Sequence, residues 1–251
     1  MLPPLVCFDA GFTLIQPRQT MAGHLADALV AHGHHADDDE VRRAWEAADA
    51  WFWTTYQRPG NTAWTNDHEI EATWRAYHRI MLAEVGFRDE EHRVVEAILA
   101  AQLATSAWEL YPDTVAALEL TRNHPSRAGL PAPRIAVISD WGSNLGEVID
   151  VVGLRGFVDV LAVSAVEALA KPDPAFFRRA SERAGIDPGQ GVMIGDSYHA
   201  DVLGARAAGL DAILLDRHGT ATIPDDPGVA IARTLPEAVE MAAARGVART
   251  A

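Results

Sequence analysis

GVMIGDSYHADVLGARAAGLDAILLD, residues 191–216, reads as a strand, a turn, a helix and a second strand. GVMIG is a short apolar run of the kind that forms a strand buried on both faces. A helix follows from about His199 to Ala208 and stops at Gly209, a natural occupant of the left-handed position after a helix end. DAILLD (211–216) then begins the next strand. A strand, a crossover helix and a second strand lie side by side in parallel.

The same alternation continues outward in both directions. LVCF (5–8), RIAVIS (134–139) and VDVLAV (158–163) are further buried strands. One helix begins near Asp113 and carries Val115 and Leu118 inward. Another follows Pro174, with Asp173 as N-cap and proline at the first helical position. The tail from Thr222 reads as a short strand, VAIA, and a closing helix. NHPSRAGLPAP (123–133) is a surface loop. The fold class expected is α/β, a doubly wound parallel sheet.

Residues 17–108 interrupt this rhythm and hold no convincing strand. Val41, Trp45, Ala48 and Phe52 fall on one helical face, as do Ile70, Trp74, Tyr77 and Met81. With stretches near 19–32 and 89–105 they make about four helices. The division expected is an α/β core of residues 1–16 and 109–251 and an inserted α-helical cap of residues 17–108. Six of the seven tryptophans lie in this insert. Most should form its own core. Trp51, Trp53 and Tyr56, close together before a RPGNT turn, are candidates to face a substrate.

Bulk composition excludes several functions. The chain has 251 residues, nearly half of them hydrophobic, yet no apolar run of the length a membrane span needs. Its net charge of −14 gives no general attraction for nucleic acid or anionic membrane. An anionic substrate would therefore need local positive charge. The single cysteine, Cys7, forms no internal disulfide and fits a reducing cytoplasm. The start of the chain reads as a first strand, not a signal peptide. His32, His34 and His35 sit in a loop before an acidic helix start and read as solvated. Of the 21 basic residues only Lys171 is lysine. A compact ammonium on a flexible stem does what a guanidinium fork does not.

Four signals occur in order at the C-terminal ends of strands, where open α/β sheets place ligands. In FDAGFTL (8–14), Asp9 leaves the first strand; a carboxylate there can attack phosphorus and bind a hard cation. In AVISD (136–140), Ser139 offers a hydroxyl to a phosphoryl oxygen. In AKPDP (170–174), Lys171 can offset negative charge. In IGDSYHAD (194–201), Asp196 and Asp201 lie five residues apart. Two carboxylates near a third are a poor arrangement without a cation among them. Asp201 alone also reads as an acid stabilising a helix start.

The ordered set Asp9, Ser139, Lys171 and Asp196/Asp201 resembles the four motifs of the haloacid dehalogenase superfamily. The likeness is closest from Ile135 to Leu215 and covers the whole core. The helical insert resembles that superfamily's cap in placement alone. The resemblance implies a phosphohydrolase in which Asp9 is the nucleophile and forms an aspartyl-phosphate. It implies Mg²⁺ held by Asp9, Asp196 and the main-chain carbonyl of Gly11, with Asp201 close by or acting through water. Ser139 and Lys171 would position and neutralise the transferring group, and Thr13 would stabilise the turn that carries Asp9. The partner implied is a small phosphorylated metabolite; the sequence leaves the oligomeric state open.

One position departs from the pattern. Family phosphatases carry a second aspartate, the general acid, where this chain has Gly11. Loss of such a group costs ~10²–10⁴ in rate. Three readings stand: a substrate with a good leaving group, a donor from elsewhere (the cap, Tyr198, His199 or water), or vestigial activity. Dehalogenases also lack that aspartate, which makes carbon–halogen hydrolysis through an aspartyl ester an alternative, as is a non-catalytic binding protein. Dehalogenases, however, lose the acidic GDS motif, which is intact here. Phosphonate hydrolases of the family use a cap lysine, and residues 17–108 contain none.

Overall fold

In β1 (Leu5–Phe8) successive side chains alternate between two apolar layers. Val6 and Phe8 enter one, Leu5 and Cys7 the other, as the two-residue period of a strand dictates. β1 is fully buried because it has a neighbour on each side: parallel β4 (Arg134–Ser139) and parallel β6 (Gly191–Gly195). β5 (Val160–Val163), β7 (Asp211–Leu215) and β8 (Ala230–Ala232) extend the sheet to the order β5-β4-β1-β6-β7-β8. Every pairing in it is parallel. The computed structural model describes residues 1–58, 60–89, 92–126, 132–221, 226 and 228–248. Of the loop read at 123–133, residues 127–131 lie outside the described residues, as do 222–225 and 227 at the start of the tail.

Helices cover both faces. α5 (Thr114–Asn123), α6 (Leu145–Val151) and α10 (Leu235–Ala248) pack on the Val6/Phe8 side. α8 (Pro174–Ala184) and α9 (Gly204–Ala208) pack on the Cys7 side through Phe176, Phe177 and Ala205. A short α7 (Ser164–Glu167) follows β5. The sheet is thus the doubly wound α/β type. Its order reverses at β1, where the chain goes to β4 on one flank and later to β6 on the other. That crevice is where such sheets bind ligands.

Between β1 and β4 the chain builds the helical insert. β2 (Ile15–Pro17) pairs antiparallel with β3 (Trp108–Leu110), a ribbon that closes the insert at its base. Within it lie α1 (Met21–Ala31), α2 (Asp38–Tyr56), α3 (Asp67–Glu84) and α4 (Arg93–Leu103). The starts of α1, α2 and α3 are set by side-chain caps: Thr20, the reciprocal Asp37–Glu40 capping box, and Asn66. They share a core of their own around Leu25, Leu29, Ala44, Tyr77 and Ile98. No helix among the described residues is long and apolar enough to cross a membrane.

Several sequence expectations need correction. Val115 is exposed, because the buried face of α5 is Thr114, Ala117, Leu118 and Thr121. The strand read at 158–163 begins at Val160. Trp45 leaves the insert's core and is 40% exposed. The helix read from His199 opens as a π-helical turn, Tyr198–Leu203, before α9. Such a turn accommodates one extra residue, and π-turns are frequent at functional sites.

Candidate active site

Asp9 extends β1 by one hydrogen bond, donating its N–H to Ile194 O at 3.0 Å. The chain then turns back: Leu14 and Ile15 both donate to Ala10 O, and Phe12 sits in the left-handed region at φ 56°. This turn holds the Asp9 carboxylate over the strand ends of β4 and β6. Asp196 leaves β6 beside it. Asp201, one turn further, folds back under the same strand end. Only a glycine permits this, since a Cβ on Gly195 would overlap the Asp201 carboxyl carbon. Ser197 N–H donates to Asp201 Oδ2 at 2.9 Å, and the Ser197 side chain caps the π-turn at Ala200 N.

Three carboxylates therefore converge. Asp9, Asp196 and Asp201 offer oxygens within 4.8 Å of one another. Lys171 lies among them, its Nζ donating to Asp9 Oδ1 and Asp201 Oδ1, each at 2.7 Å. The Lys171 side chain is 4% exposed, so these ion pairs are shielded from water. Burial alone would lower the lysine's pKa, but Asp201, Asp9 and Asp140 outweigh it and hold the ammonium charged. The carboxylates fare differently. Burial, then the negative charges of Asp9 and Asp201, push the Asp196 pKa up. Asp201 is pushed up by burial although Lys171 pulls it down. One ammonium does not neutralise three acids, and the oxygen donor set suits a hard divalent cation.

The other two residues read from the first two motifs are also in place. Ser139 ends β4, buried, and lines the cavity above the carboxylates. Thr13 lies in the turn after Asp9, and its hydroxyl donates to Asp196 Oδ1 at 3.1 Å, tying the end of β1 to the end of β6. Gly11 lines the same cavity, and the indole of Trp141 covers it. A Cβ there would meet Trp141 Cζ3 at 3.1 Å. Trp141 is itself held against Trp108, ring centroids 4.5 Å apart.

Some functional contacts carried no sequence signal. Asp140 accepts from Lys171 N–H at 2.9 Å and from the Tyr56 hydroxyl at 2.8 Å. Burial pushes its pKa up to about 7 against the pull of Lys171. The Tyr56 contact joins helical insert to core. Asp67 joins them again, accepting from Ser143 N and Oγ at 2.7 and 2.6 Å, and Asn144 donates to Leu103 O at 3.0 Å. The strip Asp140–Asn144 after β4 thus carries hydrogen bonds to the insert, and Trp64 and Ile70 of the insert pack with Ala165 and Ala170 of the core. Of the aromatics before the RPGNT turn, Trp53 and Tyr56 line the cavity, whereas Trp51 packs into the insert's core. Tyr198 is turned away, donating to Asp226 at 3.0 Å, and neither it nor His199 lines the cavity. His32 and His34 pack edge-on against Phe87. Among the described residues the acidic trio is the metal-capable cluster.

Residues 4–209 match the haloacid dehalogenase-like hydrolase family. The chain is a haloacid dehalogenase-like hydrolase. Relatives of this hydrolase include haloacid dehalogenase-like hydrolase domain-containing protein 3 of Bos taurus, 27% identical over 232 residues, which span 90% of this chain and 85% of that one. A phosphoserine phosphatase of Thermus thermophilus is 30% identical over 182 residues, 70% of this chain and 65% of that one. Among solved structures, the HAD-hydrolase YfnB of Bacillus subtilis, bound to magnesium, superposes with a TM-score of 0.73 at 16% identity, covering 96% of this hydrolase and 99% of YfnB. At that identity the likeness shows the shared fold.

Proposed function

We propose that this hydrolase is a Mg²⁺-dependent phosphohydrolase that acts on a small phosphorylated metabolite through an aspartyl-phosphate on Asp9. The observation that supports it is the meeting of Asp9, Asp196 and Asp201 within 4.8 Å around one buried ammonium. Asp9, Asp196 and Asp201 would hold the ion, with the Gly11 carbonyl. The bound ion supplies positive charge to the phosphoryl oxygens.

The chain's own residues supply the remainder. Asp9 presents a carboxylate oxygen to phosphorus. Lys171 fixes that carboxylate and adds charge where the transition state becomes negative. The Ser139 hydroxyl holds a phosphoryl oxygen, and Thr13 orients Asp196. Residues 17–108 act as the cap, closing the cavity through Tyr56 and Asp67. We assign the protein to the cytoplasm, consistent with its single buried thiol. Three retained acids favour this chemistry over metal-free carbon–halogen hydrolysis.

The test is metal dependence, read as turnover and as stability. Phosphate release from an aryl phosphate stops in EDTA and returns with Mg²⁺; halide release from a 2-haloacid that persists in EDTA would overturn the reading. The stability arm has a definite sign. The folded pKa values of Asp196 and Asp201 lie above the ordinary carboxylate value. The metal-free folded state then binds more protons than the unfolded chain, and its stability falls as pH rises above about 4. In EDTA, Tm should decline from pH 5 to pH 8. Mg²⁺ near 100 times its Kd adds about 2.7 kcal/mol at the upper end, a gain of roughly 5–10 °C. A Tm indifferent to metal across this range would contradict the cation site.

Gly11 yields a second expectation. Restoring an aspartate there should, on sequence grounds, add a proton donor for alkyl phosphates. The Trp141 ring stands in its way. Gly11→Asp alone should lose about 1–3 kcal/mol of stability from overpacking with no gain in alkyl phosphate turnover. Gly11→Asp with Trp141→Ala should show the gain. Thermal melts and turnover of the two variants check this; a gain in the single variant would mean that the indole yields freely.

A further inference from the structure

The cavity above Asp9 has a volume of about 760 Å³, and α2 forms one long wall of it. Trp45, Asp49, Phe52, Trp53 and Tyr56 fall on one face of that helix and all line the cavity. From Tyr56, hydrogen-bonded beside Lys171, to Trp45 this wall runs roughly 16 Å. Trp45 and Trp53 remain 40% and 43% exposed, large apolar rings without a full complement of protein contacts. Trp53 Nε1 donates to Asp49 at 3.0 Å, which fixes the ring. Among the described lining residues the insert contributes no lysine, arginine or histidine. Its one carboxylate there is Asp49. The core adds Arg217, paired with Asp113, and His218 to the cavity lining; the α2 wall itself offers no cation to a second phosphate or carboxylate and presents a surface suited to stacked or edge-on contact with a ring.

The reacting end points to the same class of molecule. A departing oxygen needs a proton unless it is stable as an anion. Lys171 is committed to Asp9 and Asp201. Asp140 turns one oxygen to Lys171 N–H and the other to the Tyr56 hydroxyl. Gly11 carries no acid, and the Trp141 ring stands over it. The acids in contact with Lys171 are thus engaged elsewhere; of the core's other groups in the cavity wall, Arg217 is held by Asp113 and Thr13 O, and His218 is exposed. A phenolic oxygen, with a pKa of about 10, departs unaided far more readily than an alkoxide, whose conjugate acid resembles water at about 16.

We propose that the substrates of this site are aryl phosphates: phosphate monoesters of a phenolic oxygen, with the ring seated against Trp45, Trp53 and Tyr56 and no second anionic group. This rests on the phosphohydrolase reading above. In each turnover an Asp9 oxygen bonds to phosphorus as the bond from phosphorus to the phenolic oxygen breaks. The electron pair leaves with that oxygen, which takes a proton from water. A second water then attacks phosphorus, freeing the Asp9 carboxylate and releasing phosphate and a proton. The sum is ester plus water giving phenol plus hydrogen phosphate.

Four esters test it on the full chain with Mg²⁺: phenyl, benzyl, 4-carboxyphenyl and glycerol phosphates. Benzyl phosphate carries the ring but an alkoxide leaving group. Its KM should lie within about threefold of that of phenyl phosphate, and its kcat should fall on the order of 10²-fold or more, the typical worth of a missing acid. Glycerol phosphate should lose in both parameters. 4-Carboxyphenyl phosphate should show a KM raised about tenfold, the cost of an unpaired charge of about 1.4 kcal/mol. Trp53→Ala should raise KM for phenyl and benzyl phosphates alike. Equal kcat for benzyl and phenyl phosphates would overturn the proposal by revealing a proton donor, and a KM for glycerol phosphate matching the aromatic esters would overturn it by showing that the ring is not read. Release from none of the four would instead bring down the phosphohydrolase reading itself.

Discussion

Asp9→Asn leaves a folded protein that does not turn over. The amide keeps the size of the carboxylate but is a far poorer nucleophile and cation ligand, so kcat should fall on the order of 10⁴-fold or more, as when other covalent catalysts lose the attacking group. The structure also predicts what will not happen. Asp9 is one of two acids on Lys171, and Asp201 holds the ammonium from the other side at 2.7 Å. Removing one negative charge from a cluster of three relieves the repulsion that helps raise the Asp196 pKa. Metal-free Asp9→Asn should therefore melt no lower than the metal-free parent, and the rise that Mg²⁺ gives should shrink. Turnover of phenyl phosphate, scanning calorimetry with and without Mg²⁺, and a trapped phosphoenzyme in the parent but not the variant make the check. A variant retaining more than a few per cent of parental kcat would remove Asp9 from the reaction.

Much of this site was legible because its parts sit at strand ends, and buried parallel strands announce themselves as apolar runs. LVCF, RIAVIS and GVMIG match β1, β4 and β6 residue for residue. Each is followed by a side chain that the sheet carries to the same crevice. Lys171 stood out because an arginine-rich chain holds one lysine. What stayed hidden lies in pairs that no local pattern links. Tyr56 and Asp140 are 84 positions apart, and their hydrogen bond exists only once the insert docks. Trp141 follows a strand and reads as an ordinary apolar residue; that its ring stands over Gly11 depends on how two strand-end loops meet. The π-turn at Tyr198–Leu203 was equally unreadable, since its residues suit an α-helix as well. It is the fold-back under Gly195 that gives Asp201 its place.

Lys171→Met should damage the protein in two separable ways. Methionine fills much of the same volume but leaves Asp9 and Asp201 facing each other, buried and without their cation. Breaking a buried ion pair by removing one partner costs about 3–5 kcal/mol. The transition state also loses a placed charge, worth on the order of 10²–10³ in kcat. Lys171→Arg should not restore the rate: a planar fork does not replace a point charge seated 2.7 Å from each of two carboxylates in a site this closed. A double-mutant cycle with Asp9→Asn separates the effects. If the stability cost comes from uncompensated charge, it should shrink by more than about 1 kcal/mol when Asp9→Asn is already present, because contacting residues of one network do not add. Excess Mg²⁺ should recover part of the stability of Lys171→Met, since it would supply charge to the same oxygens, but little of the rate. Equal costs of Lys171→Met in the parent and in the Asp9→Asn background would show that the lysine's contribution is packing, and that its pairing with the carboxylates holds no share of the fold's stability.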